Sequence, residues 1–252
     1  MTDRTAQQND WYFTSEAQTE VISRLLYVVD NGDVFSLLQG AFGTGKSTVL
    51  KQTATELARS GRRVVRQSVA ALDCRATLWQ ICGALSIFSP ADADVSQLMI
   101  QVRDELLSRA HCCHDTAILL DDTDLAQQDI STVLHLLTSI AESSEGRLSV
   151  IAAAEQPTAF SLEKRMSLNI RLQLLAESEA IEFAVRRLAY LNCPVQRISD
   201  TGWRAIADLG QGLPAHLLQI CQIIQIVTSM QSGLIDAAMV YGASHELLPQ
   251  AA

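Results

Sequence analysis

Two short stretches hold residues whose types and spacing could do chemistry. The first is Gly40-Ala41-Phe42-Gly43-Thr44-Gly45-Lys46-Ser47, which fits G-x-x-x-x-G-K-[ST] without a mismatch and runs on into Thr48. Its glycines allow a tight turn, so that successive N–H groups can point at phosphate oxygens at the positive end of the helix that follows. Lys46 adds a mobile charge for the β- and γ-phosphates, and Ser47 a hydroxyl for Mg²⁺. The second stretch is Thr116-Ala117-Ile118-Leu119-Leu120-Asp121-Asp122, an apolar run that ends in two acids. Asp121 is expected to hold Mg²⁺, through water. Asp122 stands where a general base could orient an attacking water, with Asp124 as a substitute. ATP and Mg²⁺ are therefore the expected ligands, cradled by residues 40–48.

These groups need elements to hold them. The apolar run Val34-Phe35-Ser36-Leu37-Leu38 leads into the glycine-rich turn, and a helical pattern from Thr48 leads out. Continuous apolar runs suit strands buried on both faces, as in a parallel sheet, and ligands bind at the carboxyl ends of such strands. Further strands are expected at Arg63–Val69, Leu148–Ala154 and, by alternation, Leu168–Leu174. Glu155-Gln156-Pro157 stands at the ligand edge after the fourth apolar run. Helical patterns separate the strands. After Leu175 strand signals stop, and helical periodicity continues through Glu177–Leu191, a helix capped by Ser199 or Asp200, a run from Leu217 to Met230 with Pro214 at its start, and a short element at Ile235–Tyr241. The expected division is an N-terminal segment (1–14), a core (15–175) and a helical domain (176–252).

Composition narrows the classes. The chain has 252 residues, a net charge of −9 and a pI near 5.0, a balance that opposes strong non-specific nucleic-acid binding. No apolar run is long enough to span a bilayer and Met1-Thr2-Asp3-Arg4 is no signal peptide, so the expectation is a cytoplasmic protein with six reduced cysteines. His111-Cys112-Cys113-His114 is a candidate metal motif, but adjacent thiols converge poorly on one ion, and a turn at a helix end is the competing reading. Trp11-Tyr12-Phe13 is either a staple packed on the next helix or a wall of an adenine pocket.

The strands, the phosphate loop, the acid-ended strand and a helical lid with the turn Gly212-Leu213-Pro214 resemble an AAA+ P-loop ATPase. Within that superfamily, Phe13-Thr14-Ser15, Leu119-Leu120-Asp121-Asp122, Glu155-Gln156-Pro157 and Cys221 resemble the general secretion pathway protein A (ExeA-like) group. The resemblance spans Phe13 to Tyr241. It implies an α/β fold: a parallel five-stranded sheet flanked by helices, plus a small all-helical C-terminal lid. It also implies ATP turnover coupled to assembly of a protein complex, association into homo-oligomers, Gln156 as the sensor of the γ-phosphate, and Arg165 or Arg171 as an arginine finger. Two positions depart from the pattern. Asp122 replaces the usual Glu, one methylene shorter, and Ala215 with His216 follows the G-x-P turn where an arginine is usual. Three functions follow: an ATPase that remodels or assembles partners, an ATP-held switch with little hydrolysis, and a DNA transposition regulator of the TnsC and MuB type. The last would lean on Arg62, Arg63, Arg66, Arg186 and Arg187.

Overall fold

The structure, a computed structural model, describes residues 11–127, 129–156, 165–230 and 233–247. Residues 1–10 of the expected N-terminal segment, and Pro157 of the stretch Glu155-Gln156-Pro157, lie outside the described residues. The chain folds as two compact units. One comprises Gln18–Phe42 and Lys46–Leu172; the other takes the chain before Gln18, Gly43–Gly45 and the chain from Gln173 onward.

The larger unit is an α/β layer structure. Its elements, in chain order, are α1 (Glu16–Asp30), β1 (Phe35–Gln39), α2 (Lys46–Arg59), β2 (Arg63–Ser68), α3 (Cys74–Leu85), α4 (Val95–His111), β3 (Thr116–Asp121), α5 (Ile130–Glu142), β4 (Leu148–Ala154) and β5 (Leu168–Arg171). The strands form one parallel sheet in the order β2-β3-β4-β1-β5. Every residue of β3 and β4 is buried, which is why both are continuous apolar runs. Alternate residues feed two cores. Phe35, Leu37, Ile118, Leu120, Val150 and Ala152 pack with the apolar faces of α3, α4 and α5. Leu38, Leu119, Ile151, Ala153 and Ile170 pack with α1 and α2 on the other face. Each fully buried Leu or Ile contributes about 1.5–3 kcal/mol.

Several elements depart from the expected bounds by one residue at an end, as β1 and β2 do, and three depart by more. Helix α2 starts at Lys46 rather than Thr48. Strand β5 stops at Arg171 rather than Leu174: Leu172 N–H still donates to Gln39 C=O at 2.7 Å, but Leu175 N–H goes to Gly212 C=O at 2.9 Å. The last helix starts at Ala237 rather than Ile235, because Ile235 pairs with Ile198 in a single bridge and Asp236 Oδ1 then caps Met239 N–H at 3.0 Å, and it runs on to Leu247 rather than Tyr241.

The smaller unit packs α6 (Glu177–Tyr190), α7 (Asp200–Gly210), α8 (Pro214–Met230) and α9 (Ala237–Leu247) around Phe183, Leu188, Ile206, Leu217 and Ile224. Ser199 caps α7 through Gly202 N–H at 3.1 Å, which decides between the two expected caps. Trp11 and Phe13 are stapled to α6, not to the helix that follows them. Both rings meet Phe183 edge-on, with centroids at 5.0 and 5.2 Å. That packing buries Phe13, so its ring serves this core. The adjoining Thr14, Ser15 and Glu16 line a cavity of about 580 Å³ with Ala176, Glu179 and Arg186. Arg187 is 4% exposed, between the rings of Trp11 and Tyr190, where its charge is met by π-faces.

Gly212 holds the turn before α8. Its φ is +69°, and a Cβ there would lie 2.5 Å from Leu175 C=O. Gly212→Ala combines a left-handed backbone with a clash against main chain. It should cost on the order of 2 kcal/mol, read as a melting point lowered by about 4–8 °C. An unchanged melting point would show that the turn tolerates a side chain.

Candidate nucleotide site

The site is built where β1 and β3 end. Leaving β1, the chain turns through Gly43 and Gly45, at φ +83° and +98°, conformations that a side chain would strain. Lys46 opens α2 and turns its ammonium back on the loop, donating to Gly40 C=O at 2.8 Å and Ala41 C=O at 3.2 Å. Thr44 is buried, whereas Phe42 (76% exposed), Ser47 and Thr48 face outward. Gly40 N–H donates to Ala154 C=O at 3.2 Å, which ties the start of the loop to the end of β4.

Asp121 ends β3 and is only 2% exposed. Burial pushes its carboxyl above the usual carboxylate range. A hydrogen bond from the Ser47 hydroxyl pulls it back, the neighbouring Asp122 carboxylate pushes it up again, and the Asp122 N–H and Arg66 lower it. Asp122 N–H donates to Asp121 Oδ1 at 3.1 Å. The structure thus joins the hydroxyl of the glycine-rich loop to the carboxylate of the acid-ended strand. A buried carboxylate beside a hydroxyl is a hard-oxygen donor set of the kind Mg²⁺ takes, and it fits that ion.

Past Asp121 the chain reverses sharply. Asp122 has φ +56°, an uncommon conformation for a residue with a side chain. Thr123 then anchors on β4, with N–H and Oγ1 both donating to Ala153 C=O at 3.0 and 2.8 Å. The reversal swings Asp122 towards β2, where the Ser68 hydroxyl donates to its Oδ2 at 2.8 Å. Sequence reasoning missed Ser68. Its one signal is register: it is the last residue of β2 and pairs with Asp121.

Asp124 is engaged differently. Its Oδ2 accepts Glu155 N–H at 2.7 Å, so this carboxylate is committed to the end of β4. Glu155 and Gln156 are exposed at that same edge. Arg165 lies away from these groups in sequence and makes a loose, half-exposed pair with Glu142 at 3.5 Å. Arg171 ends β5 in register with Gln39 and is exposed.

Residues 29–159, just over half of the chain, match the profile of a family described as AAA domain. The chain belongs to the AAA domain family. The fold is that of AAA+ P-loop ATPases. Cdc6p from Pyrobaculum aerophilum superposes with a TM-score of 0.78 at 16% identity, over 100% of this chain and 73% of that one. The Holliday junction branch migration motor RuvB from Thermotoga maritima superposes with a TM-score of 0.59 at 15% identity, over 93% and 70%. In sequence, the chain is 25% identical over 225 residues to general secretion pathway protein A of Aeromonas hydrophila. The match covers 84% of this chain and 40% of that protein, so the AAA chain spans well under half the length of this curated relative.

AAA+ proteins generally bind and hydrolyse ATP with Mg²⁺ and form oligomers. Among the described residues of this AAA protein, no helix is long and apolar enough to cross a membrane, and no cluster of three His, Cys, Asp or Glu side chains could hold a metal ion. The residues 111–114 end α4 and turn towards β3, with Cys112 and Cys113 free and exposed. Four of the five arginines of the DNA reading have partners within the chain, while Arg66 is exposed. Arg62 pairs with Asp30 at 2.8 Å and Arg63 donates to Ala84 C=O. Arg186 pairs with Glu182, and Arg187 is buried.

Two outcomes test this geometry. Lys46→Ala removes two hydrogen bonds to loop carbonyls. The free protein should keep its stability within about 1 kcal/mol, while stabilisation by millimolar Mg·ATP is lost. Asp121→Asn removes a buried charge. A carboxyl held above its unfolded value stabilises the fold only when protonated, and that contribution is lost as pH rises through the raised value. At neutral pH without Mg²⁺ the Asn variant should therefore melt higher than wild type. The gain should shrink as pH falls towards the carboxyl's titration range. A variant that melts lower at neutral pH would show that the charge is well compensated without the metal.

Proposed function

We propose that this protein binds Mg·ATP at residues 40–48 and hydrolyses it slowly to drive assembly or remodelling of a protein complex. The core is residues 15–175 and the helical lid 176–252. The observation that carries the reading is the buried carboxylate of Asp121 at the end of β3, on which the Ser47 hydroxyl acts. It supports the reading because a hydroxyl and a carboxylate are oxygen donors of the kind Mg²⁺ takes, next to the loop that ends in Lys46. Bound there, Mg²⁺ would neutralise charge on the phosphate oxygens. The loop N–H groups orient the phosphates. Lys46 exchanges its two carbonyl partners for phosphate oxygens. Asp122 holds the attacking water and accepts its proton at a carboxylate oxygen. Gln156 meets the γ-phosphate. Arg165 is the arginine finger, offered to a second copy of the chain on ATP binding.

Similarity to a general secretion pathway protein supports a partner in an assembly or secretion complex, and the absence of a long apolar helix among the described residues is compatible with a cytoplasmic location. A second reading, an ATP-held switch, is favoured by one observation. Asp122 is a short acid whose Oδ2 is already occupied by Ser68, so the water-orienting carboxylate is held back. The acidic net charge and the pairing of Arg62 and Arg186 with acids weigh against a DNA regulator.

Turnover separates the two readings. Asp122→Asn should abolish hydrolysis and leave nucleotide affinity within about twofold, because the change acts on the transition state alone. Asp122→Glu restores the longer reach and should raise turnover by about tenfold, since an ångström of misplacement can cost on the order of a hundredfold. Specific activity should rise with protein concentration, and Arg165→Ala should remove that rise. If wild type and Asp122→Glu both lack measurable turnover while binding ATP, the protein is the switch.

A further inference from the structure

Glu155, the first residue past β4, is held on both sides of its backbone by side chains from β1 and from the loop after β3. Asp124, three residues past the end of β3, accepts the Glu155 N–H at 2.7 Å. Gln39, the last residue of β1 and the one before the glycine-rich loop, donates from Nε2 to the Glu155 C=O at 3.2 Å. Asn169 of β5 in turn donates to Gln39 Oε1 at 3.4 Å, which turns the Gln39 amide so that its NH₂ faces Glu155. The belt runs from Asn169 within β5 to the carboxyl ends of β1 and β4 and the loop after β3, beside the edge that carries Lys46 and Asp121.

Ordinary sheet pairing does not supply this. The ladder between β1 and β4 ends with Gln39 opposite Ala154, so Glu155 is the first residue outside it. A backbone that leaves a ladder normally gives its N–H and C=O to water and frays. Here a carboxylate and an amide replace the ladder for one more residue. The bond to the carboxylate is charge-assisted, about twice the strength of a neutral one. Gln156 is thereby launched from a fixed peptide rather than a loose end.

We infer that Asp124 and Gln39 are positioning residues that clamp Glu155 so that Gln156 is held at the γ-phosphate. This rests on the reading of Gln156 as the residue that meets that phosphate. Asp124 then has a role distinct from that of Asp122. One carboxylate orients water, and the other fixes the exit of β4. The requirement at position 124 is an acceptor oxygen, not a base, so Asn serves there and fails at position 122.

Two arms test this with the full-length protein. Amide exchange at Glu155, followed by NMR without nucleotide, should quicken by about tenfold in Asp124→Ala and return towards wild type in Asp124→Asn. Gln39→Ala should give a smaller rise without touching the acidic cluster, and it decides the matter if Asp124→Ala does not fold. In the second arm, Asp124→Ala should lower kcat about tenfold while the Kd for a fluorescent ATP analogue stays within about twofold. In a Gln156→Ala background the same change should cost nothing further, because the two act as one unit. Unchanged exchange in Asp124→Ala and Gln39→Ala would overturn the clamp. An Asp124→Asn variant as inactive as Asp122→Asn would overturn it too, by making Asp124 a base. If Gln156→Ala alone leaves turnover intact, the reading of Gln156 fails, and the exchange arm still judges the clamp.

Discussion

The constraint on which the site depends is a carboxylate buried at the end of an apolar strand. Asp121 sits where β3 emerges from two hydrophobic layers, and taking its charge out of water is costly unless hydrogen bonds or cations answer it. Three neighbours answer in part: the Ser47 hydroxyl, the Asp122 N–H and the field of Arg66. None is a close ion pair, so burial prevails and the carboxyl stays raised. The same incomplete compensation gives a divalent cation a reason to bind. A site that fully satisfied Asp121 with an arginine would be more stable and of less use.

The chain after Asp121 shows how local geometry serves that constraint. The positive φ of Asp122 is held because Thr123 is locked to β4 by two hydrogen bonds, so the reversal is enforced from its far side. Consecutive acids therefore diverge. Asp121 faces the loop that ends β1, Asp122 faces Ser68 on β2, and Asp124 faces the exit of β4. Three carboxylates within four residues would repel one another if they shared one cavity. Each has its own donor instead.

Much of this was legible in the sequence. The glycine spacing at 40, 43 and 45, the apolar runs that became β3 and β4, and the acids at 121 and 122 specify elements that depend mainly on neighbours along the chain. The helical caps at Ser199 and Pro214 are equally local. What could not be read depends on which strands lie side by side. Ser68 becomes a partner of Asp122 only because β2 pairs with β3 in the register that sets Ser68 opposite Asp121. Gln39 reaches Glu155 only because β1 lies against β4. The aromatic cluster at 11–13 was recognisable as a staple, but its partner on α6 is more than 160 residues away, and no periodicity encodes such a choice.

The strand order also bears on how the chain reaches its native state. The strand that carries the phosphate loop pairs with no neighbour in sequence; it lies between β4 and β5, with Phe35 opposite Val150 and Ser36 opposite Leu168. An emerging polypeptide therefore carries its glycine-rich turn unsupported until residues near 170 are available to flank it. Closing so long a segment adds only modestly to the entropic cost, since that cost grows with the logarithm of length, but non-local pairing slows the search. During synthesis, competence to hold a nucleotide should thus appear late and in one step, once β4 and β5 dock on either side of β1.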